Sequence, residues 1–196
     1  MLDTLNTQLF LLLNAASGLH GAPLWIATVL AEWVIWLIPL GLSAVWLLGE
    51  PNDQRATVKA LLAGVLVLGL NQLIGLVWFH PRPFMLNIGH TYLPHVADSS
   101  FPSDHVSLLF AVGLALWTSK SIWTRRLAGL LLALTPLVAW ARIYLGVHFP
   151  LDMLGALAAA GSVVWLLNTC KGQQFCRKLA DSIDAAFATI FGQKSS

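Results

Sequence analysis

Long apolar runs separated by short polar connections set the pattern of this chain. Five runs stand out: Pro23 to Leu48, Thr57 to Phe79, Asp104 to Ser119, Leu127 to Val147, and Pro150 to Thr169. A helix needs about 20 apolar residues to cross a hydrocarbon core, so each run is predicted to be a transmembrane helix. The third is short, which predicts that its outer end starts below the membrane surface. Pro39 and Pro136 fall inside spans, where neighbouring helices satisfy the freed carbonyls, so kinks rather than breaks are expected there. Ahead of the first span, Leu5, Phe10, Leu12 and Leu13 alternate with Asp3, Asn6, Thr7 and Gln8, the pattern of a helix lying in the interface. Behind the last, Phe175, Leu179, Ile183 and Phe187 recur at fourfold spacing beside Arg177, Lys178, Asp181 and Asp184, again an interfacial helix. The expected fold class is all-α: a polytopic membrane helical bundle of about five transmembrane helices, six being possible, with interfacial N- and C-terminal helices, all in one membrane-embedded domain over residues 1–196.

Composition agrees with a bilayer as solvent. The chain is 57% hydrophobic and only 10% charged, against roughly 25% charged residues in soluble domains. Its net charge of +2, with basic residues confined to short loops, argues against nucleic acid as a partner. Cys170 and Cys176 have the spacing of neither a zinc site nor a redox pair and read as free thiols. No Lys or Arg precedes Arg55, so the basic start of a cleavable signal is missing and the N-terminus is expected to be retained.

The basic residues also orient the bundle. Arg55 and Lys59 flank the first connection, Lys120, Arg125 and Arg126 the third, and Lys171, Arg177 and Lys178 follow the last span. By the positive-inside rule these lie on the cytoplasmic side. The connection from His80 to Ser103 and the turn at His148 to Pro150 then face outward.

Those outer connections gather the chain's candidate chemistry: His80, Arg82, Ser103, Asp104, His105, Arg142, His148 and Asp152. Ionisable residues at membrane depth are costly and mark functional sites. Pro81 and Pro83 stiffen the backbone on both sides of Arg82; alone, its guanidinium serves equally as a phosphate ligand or an interfacial anchor. Ser103 stands where a helix N-cap is expected, opening an anion-ready helix start with His105 in its first turn, either a proton donor to a departing oxygen or an interfacial His. Arg142 lies about one and a half turns inside its span and requires an anion. His148 follows at the outer turn, Pro150 suits the first position of the next helix, and Asp152 falls within reach of the imidazole. A carboxylate on one ring nitrogen fixes the tautomer and frees the other nitrogen for attack on phosphorus; a structural His–Asp pair is the alternative. Two guanidiniums, helix amides, two imidazoles and a carboxylate form an inventory for phosphoryl transfer. A metal fits poorly, because two Arg repel a divalent cation, and no cofactor is implied.

The motifs resemble those of the type 2 phosphatidic acid phosphatase superfamily of membrane lipid phosphatases, Lys-x6-Arg-Pro, Pro-Ser-Gly-His and Ser-Arg-x5-His-x3-Asp. They stand here as Gly75-x6-Arg82-Pro83, Pro102-Ser103-Asp104-His105, and Ala141-Arg142-x5-His148-x3-Asp152, a motif core over residues 75–152. The resemblance implies His148 as nucleophile, Asp152 as its orienting partner, His105 as general acid, and Arg82, Ser103 and Arg142 as phosphate ligands. Gly75, Asp104 and Ala141 depart from the pattern; Asp104 places a carboxylate near the site unless it turns aside, for instance to its helix's own N-terminal dipole. Together with His80-Pro81-Arg82-Pro83-Phe84, these features are similar to the bacitracin-resistance-type undecaprenyl-diphosphatases of bacteria. That likeness implies a polyprenyl diphosphate substrate among membrane lipids, cleaved at the outer face of the plasma membrane to recycle the cell-wall lipid carrier. The motifs do not separate this from a phosphatidylglycerophosphate or phosphatidate phosphatase or a lipid phosphotransferase. An anion transporter would call for discontinuous spans and an internal repeat, and neither is evident. Oligomeric state is not set by the sequence. Glu32, deep in the first span, either lines a headgroup channel or pairs with a cation of the site; His90 and His95 receive no role.

Overall fold

The computed structural model describes residues 2–191, whose regular structure is entirely helical. Helix α1 (Leu2–Leu13) precedes a continuous rod from Gly21 to Leu48, made of α2 (Gly21–Thr28), a π-helical stretch at Val29–Trp33, a 3-10 turn at Val34–Trp36 and α3 (Leu37–Leu48). Then come α4 (Pro51–Val77), α5 (Asp104–Trp117), α6 (Ile122–Tyr144), α7 (Pro150–Asn168) and α8 (Cys170–Phe191). The rod, α4, α6 and α7 are long and apolar enough to cross a membrane. α5, the expected short span, has 14 residues and reaches about 21 Å at 1.5 Å per residue, against a hydrocarbon core of about 30 Å. α1, with 12 residues, is shorter still, and supplies no sixth crossing.

The surface of the bundle is inverted relative to a soluble protein. Trp25, Trp36, Leu40, Leu61, Val65, Leu73, Leu137 and Trp165 are exposed, whereas Asn71, Ser103, Ser107, Arg142, His148 and Asp152 are buried. Apolar surface of this extent is stable only against lipid, and the chain is a multi-pass membrane protein.

Several helix boundaries move from those read off the apolar runs. α4 starts at Pro51 rather than Thr57, because Pro occupies its first turn and Asp53 Oδ2 accepts the Glu50 N–H (3.0 Å); the helix therefore extends beyond its apolar stretch. α6 likewise begins at Ile122, with Ser121 as N-cap, and it runs through Pro136 without a break. Pro39 acts differently. It cannot supply the N–H that Ile35 O would accept, and the irregular π and 3-10 turns lie just ahead of it.

The end of α6 sets the position of His148. Gly146 takes a left-handed φ of 83°, its N–H bonding Ile143 O (3.0 Å) and the Val147 N–H reaching back to Arg142 O (3.1 Å), the paired bonds of a glycine helix stop. Phe149 then caps α7, which opens on Pro150. At the centre α5 packs along α4, α6 and α7, with Leu109, Val112 and Leu116 buried in the core, so its first turn opens beneath the α6–α7 turn.

The terminal helices dock on the bundle. Phe10 of α1 is wholly buried, its ring 5.2 Å from that of Phe149; Asn6 Oδ1 accepts the Leu151 N–H (3.0 Å), and Asn14 Nδ2 donates to His90 O (2.8 Å) and Tyr144 O (3.1 Å). α1 thus covers the turn that carries His148. α8 lies against α4 and α7 at the opposite end, with Cys176 and Ala180 buried; the side chains of Asp184 and Phe187 lie outside the described residues.

A Cβ added at Gly146 would stand 2.1 Å from the backbone oxygen of His90, and the left-handed conformation alone costs a non-glycine residue about 1–2 kcal/mol. Gly146→Ala is therefore expected to lower the detergent melting temperature by roughly 4 °C or more. An unchanged melt would show that this helix stop is not under the constraint described.

Candidate active site

His148 sits in the turn between α6 and α7, only 1% exposed. Its Nδ1 faces Asp152 Oδ2 at 3.2 Å and Ser100 Oγ at 3.3 Å. On the other edge, Nε2 lies 3.0 Å from Arg82 Nη1. A guanidinium only donates, so Nε2 must accept and the ring proton belongs on Nδ1, directed at Asp152. Burial, reinforced by the charges of Arg142 and then Arg82, pushes the imidazole well below its ordinary pKa. The ring is neutral near pH 7, and the lone pair of Nε2 points to the side where Arg82 lies.

The local sequence makes this pairing. Pro150 starts α7 immediately after His148, and the Phe149 N–H donates to Asp152 Oδ2 at 2.8 Å. The same oxygen accepts the Ser100 hydroxyl. Helix capping and imidazole orientation are therefore served by one carboxylate oxygen.

Arg82 is buried and fully engaged. Nε donates to Asp98 Oδ1 (2.7 Å), Nη2 to Ser99 O (3.2 Å) and Nη1 to Val147 O (2.9 Å). The flanking prolines hold the backbone, and Pro83 opens a short 3-10 helix, Pro83–Leu86. Arg142 is 1% exposed; its Nη1 donates to Ala31 O (3.1 Å) and Glu32 Oε1 (3.3 Å). Glu32 is thus the anion that Arg142 requires, presented from the π-helical stretch of the rod. Arg142 Nε has no hydrogen-bond partner among the described residues, leaving a buried donor of the kind an anion would satisfy.

Ser103 stands at the helix start, as the sequence predicts. It occupies the N-cap of α5, yet its side chain forms no cap hydrogen bond. The backbone is tied instead to α7, with Ser103 N–H donating to Asp152 O (3.3 Å). Ser103 Oγ is consequently a buried hydroxyl with no partner among the described residues. The side chain of His105, two residues on in the first turn of α5, makes no hydrogen bond among the described residues, and after Arg142, Arg82 and His95 it adds the smallest contribution to the field at His148.

Two of the three departures from the motif pattern, Gly75 and Asp104, have structural reasons. At Gly75 a Cβ would come within 3.1 Å of Ser99 Cβ, so a longer side chain there meets the 98–101 segment; a cavity of about 230 Å³ lies alongside, lined in part by Asn71, Gln72, Asp98 and Asp104. Asp104 turns aside, as its charge demands, but to α4 rather than to its own helix dipole: Asn71 Nδ2 (2.8 Å) and Gln72 Nε2 (3.3 Å) donate to its carboxylate.

Four residues of the site were not singled out in the sequence. Ser100 bridges Asp152 and His148, Asp98 and Ser99 hold Arg82, and the His95 ring lies 6.4 Å from that of His148 with Nδ1 3.7 Å from Asp98 Oδ1. All belong to the irregular segment after Leu86, where no periodicity marks which side chains turn inward. The only available signal was an outer-loop His three residues before an Asp.

The comparisons with known proteins agree with this architecture. A profile of the PAP2 superfamily matches residues 56–176, and the chain belongs to that superfamily. It is 36% identical over 171 residues to YbjG of Escherichia coli strain K12, covering 84% of this chain and 85% of that protein. Over 158 residues it is 35% identical to the undecaprenyl-diphosphatase BcrC of Bacillus subtilis strain 168, covering 80% and 79%. Among solved structures, a transmembrane PAP2-type phosphatidylglycerolphosphate phosphatase from Bacillus subtilis shares the fold, with a TM-score of 0.60 at 19% identity over 90% of this chain and 85% of that one. The chain is a membrane lipid phosphatase.

Proposed function

We propose that this phosphatase hydrolyses undecaprenyl diphosphate to undecaprenyl phosphate and phosphate through a phosphohistidine on His148. The observation that carries the reading is the buried, neutral His148 ring, with its proton on the Asp152 side and its lone pair on the Arg82 side. The identity to BcrC over most of both chains supports the diphosphate substrate.

In this mechanism the terminal phosphate displaces Asp98 from Arg82 and is held by Arg82, Arg142 and the free hydroxyl of Ser103, with the first-turn amides of α5 adding donors. Nε2 of His148 attacks the terminal phosphorus, and the bond to the bridging oxygen breaks. His105 protonates that oxygen as undecaprenyl phosphate leaves, while Asp152 holds the Nδ1 proton of the now cationic ring. Water, deprotonated by His105, then attacks the phosphohistidine and releases phosphate, restoring the neutral imidazole. The guanidiniums stabilise charge on the equatorial oxygens in both steps. Every residue named belongs to the chain, and no cofactor takes part.

The basic residues Arg55, Lys59, Lys120 and Arg177 line a cavity of about 610 Å³ at the other end of the bundle. With the positive-inside rule, this separation supports a plasma-membrane protein whose His148 site opens to the periplasm or cell exterior. Cysteines introduced between 84 and 98 are then expected to label from outside intact cells and those between 120 and 126 to remain unlabelled; the reverse pattern overturns the orientation.

On purified protein, undecaprenyl diphosphate is expected to be cleaved faster than phosphatidate or phosphatidylglycerophosphate, and preference for either glycerolipid would reassign the substrate. His148→Ala is expected to abolish turnover and His105→Ala to slow it by about 10²- to 10⁴-fold. The pH dependence has a defined sign. His148 must be neutral to attack, and its pKa lies below the ordinary 6.5, so the acid limb it sets is expected below that pH, with activity lost as pH falls through it. A folded His148→Ala protein turning over at the wild-type rate contradicts the mechanism.

A further inference from the structure

The two oxygens of Asp152 are unequally served. Oδ2 accepts the Phe149 N–H and the Ser100 hydroxyl and faces His148 Nδ1. Oδ1, equally buried, has no hydrogen-bond partner among the described residues, and neither has the buried Nδ1 of His80. These two orphaned atoms lie 4.0 Å apart. Unmatched buried polar atoms are costly, and a ring movement of about 1 Å brings this pair to hydrogen-bond length.

The surroundings hold His80 ready for that movement. Its ring stands edge-on to Phe149 (5.8 Å, 83°) and Trp78 (6.1 Å, 72°), with Phe101 at 6.5 Å. Its backbone is latched to the segment that serves the other oxygen, His80 N–H donating to Ser99 Oγ (3.1 Å) and His80 O accepting the Ser100 N–H (2.7 Å). Burial depresses the His80 pKa, opposed by Asp3 of α1, so the ring acts as a neutral donor. Two residues later, Arg82 reaches Nε2 of His148. One short segment therefore touches both ends of the His148–Asp152 pair.

We propose that His80 is a positioning residue for this reaction, donating from Nδ1 to Asp152 Oδ1 so that one buried carboxylate bridges two imidazoles. The inference rests on the roles given to His148 and Asp152 above. When Nε2 of His148 bonds to phosphorus the ring becomes cationic, and Asp152, itself wholly buried, must carry its full negative charge. A second donor on Oδ1 stabilises that charge and prevents the carboxylate from rotating Oδ2 away from His148. The charged and titratable groups facing the pair are His148 and Arg82 beside Asp152 and Asp3 toward His80.

The test compares His80→Phe, which keeps the ring in its aromatic cage without a donor, with His80→Asn, whose amide nitrogen falls near the place of Nδ1. With undecaprenyl diphosphate, His80→Phe is expected to lower kcat about 10- to 100-fold, the scale of a lost hydrogen bond to a charged group, with KM unchanged. Its acid limb moves to higher pH, since without the donor the neutral His148 ring beside its carboxylate takes up a proton more readily. His80→Asn restores the limb and brings kcat to within about threefold of wild type, a geometry difference smaller than the lost bond. Wild-type kcat and limb in His80→Phe, or no recovery in His80→Asn, overturns the proposal. Should wild-type protein release no phosphate from any lipid phosphate, the reading beneath fails, and the pair is judged separately by ¹⁵N NMR of the imidazoles in detergent. Expected there are a hydrogen-bonded proton on His80 Nδ1 and a His148 Nδ1–H tautomer kept in His80→Asn but not in His80→Phe. A His80 protonated only on Nε2 overturns the assignment.

Discussion

The hydrogen bond between His148 Nδ1 and Asp152 Oδ2 is the constraint on which the rest of the site depends. In a bundle surrounded by lipid, an uncompensated charge is far more costly than in water, so each buried ionisable group must be neutral or matched. Asp152 is matched by the Phe149 amide, Ser100 and His148; Arg142 by Ala31 O and Glu32; Arg82 by Asp98 and two carbonyls. Nε2 of His148 faces the donor Arg82, and Ser103 Oγ and Arg142 Nε have no partner among the described residues; in the proposed mechanism these are the atoms that meet the incoming phosphate.

The fold serves this balance by bringing four chain segments to one depth. A short α5 leaves room above its first turn, Gly146 stops α6 so that His148 enters that room, Pro150 restarts the chain with Asp152 one turn along, and the Pro81–Pro83 segment delivers Arg82 from the side. α1 closes the arrangement from outside through Phe10 and Asn6. Asp98 occupies Arg82, and in the proposed mechanism the substrate phosphate takes its place, exchanging one anion for another rather than charging an empty site. That exchange avoids the desolvation that burying a new unpaired charge would entail.

Much of this was legible in the sequence, for physical reasons that also explain what was not. The spans are legible because lipid demands long apolar runs, and the Arg142–His148–Asp152 spacing because it joins one helix end to the next start through Pro150. Helix ends were legible only where Pro or Gly fixes them: Asp53 capping carried α4 beyond its apolar stretch, and Gly146 stopped α6 before Val147. Residue type marks Ser103 as the N-cap it is, but not that its hydroxyl stays unbonded while its backbone N–H is tied to α7. Ser100, Asp98 and His95 were hidden because the segment after Leu86 has neither periodicity nor caps. Glu32 stands out in the sequence as an acid deep in an apolar span, yet its pairing with Arg142 depends on an irregular turn across 110 residues of sequence.

The most direct test is to identify the group that carries the phosphoryl moiety. Purified protein is mixed with terminally labelled undecaprenyl diphosphate, quenched in alkali within a single turnover, digested, and its peptides mapped by mass spectrometry. The expected result is an alkali-stable, acid-labile phosphoryl group on His148, absent from the His148→Ala protein. Label on His105, or rapid release of phosphate with no labelled His148 at any time in the turnover, would contradict it.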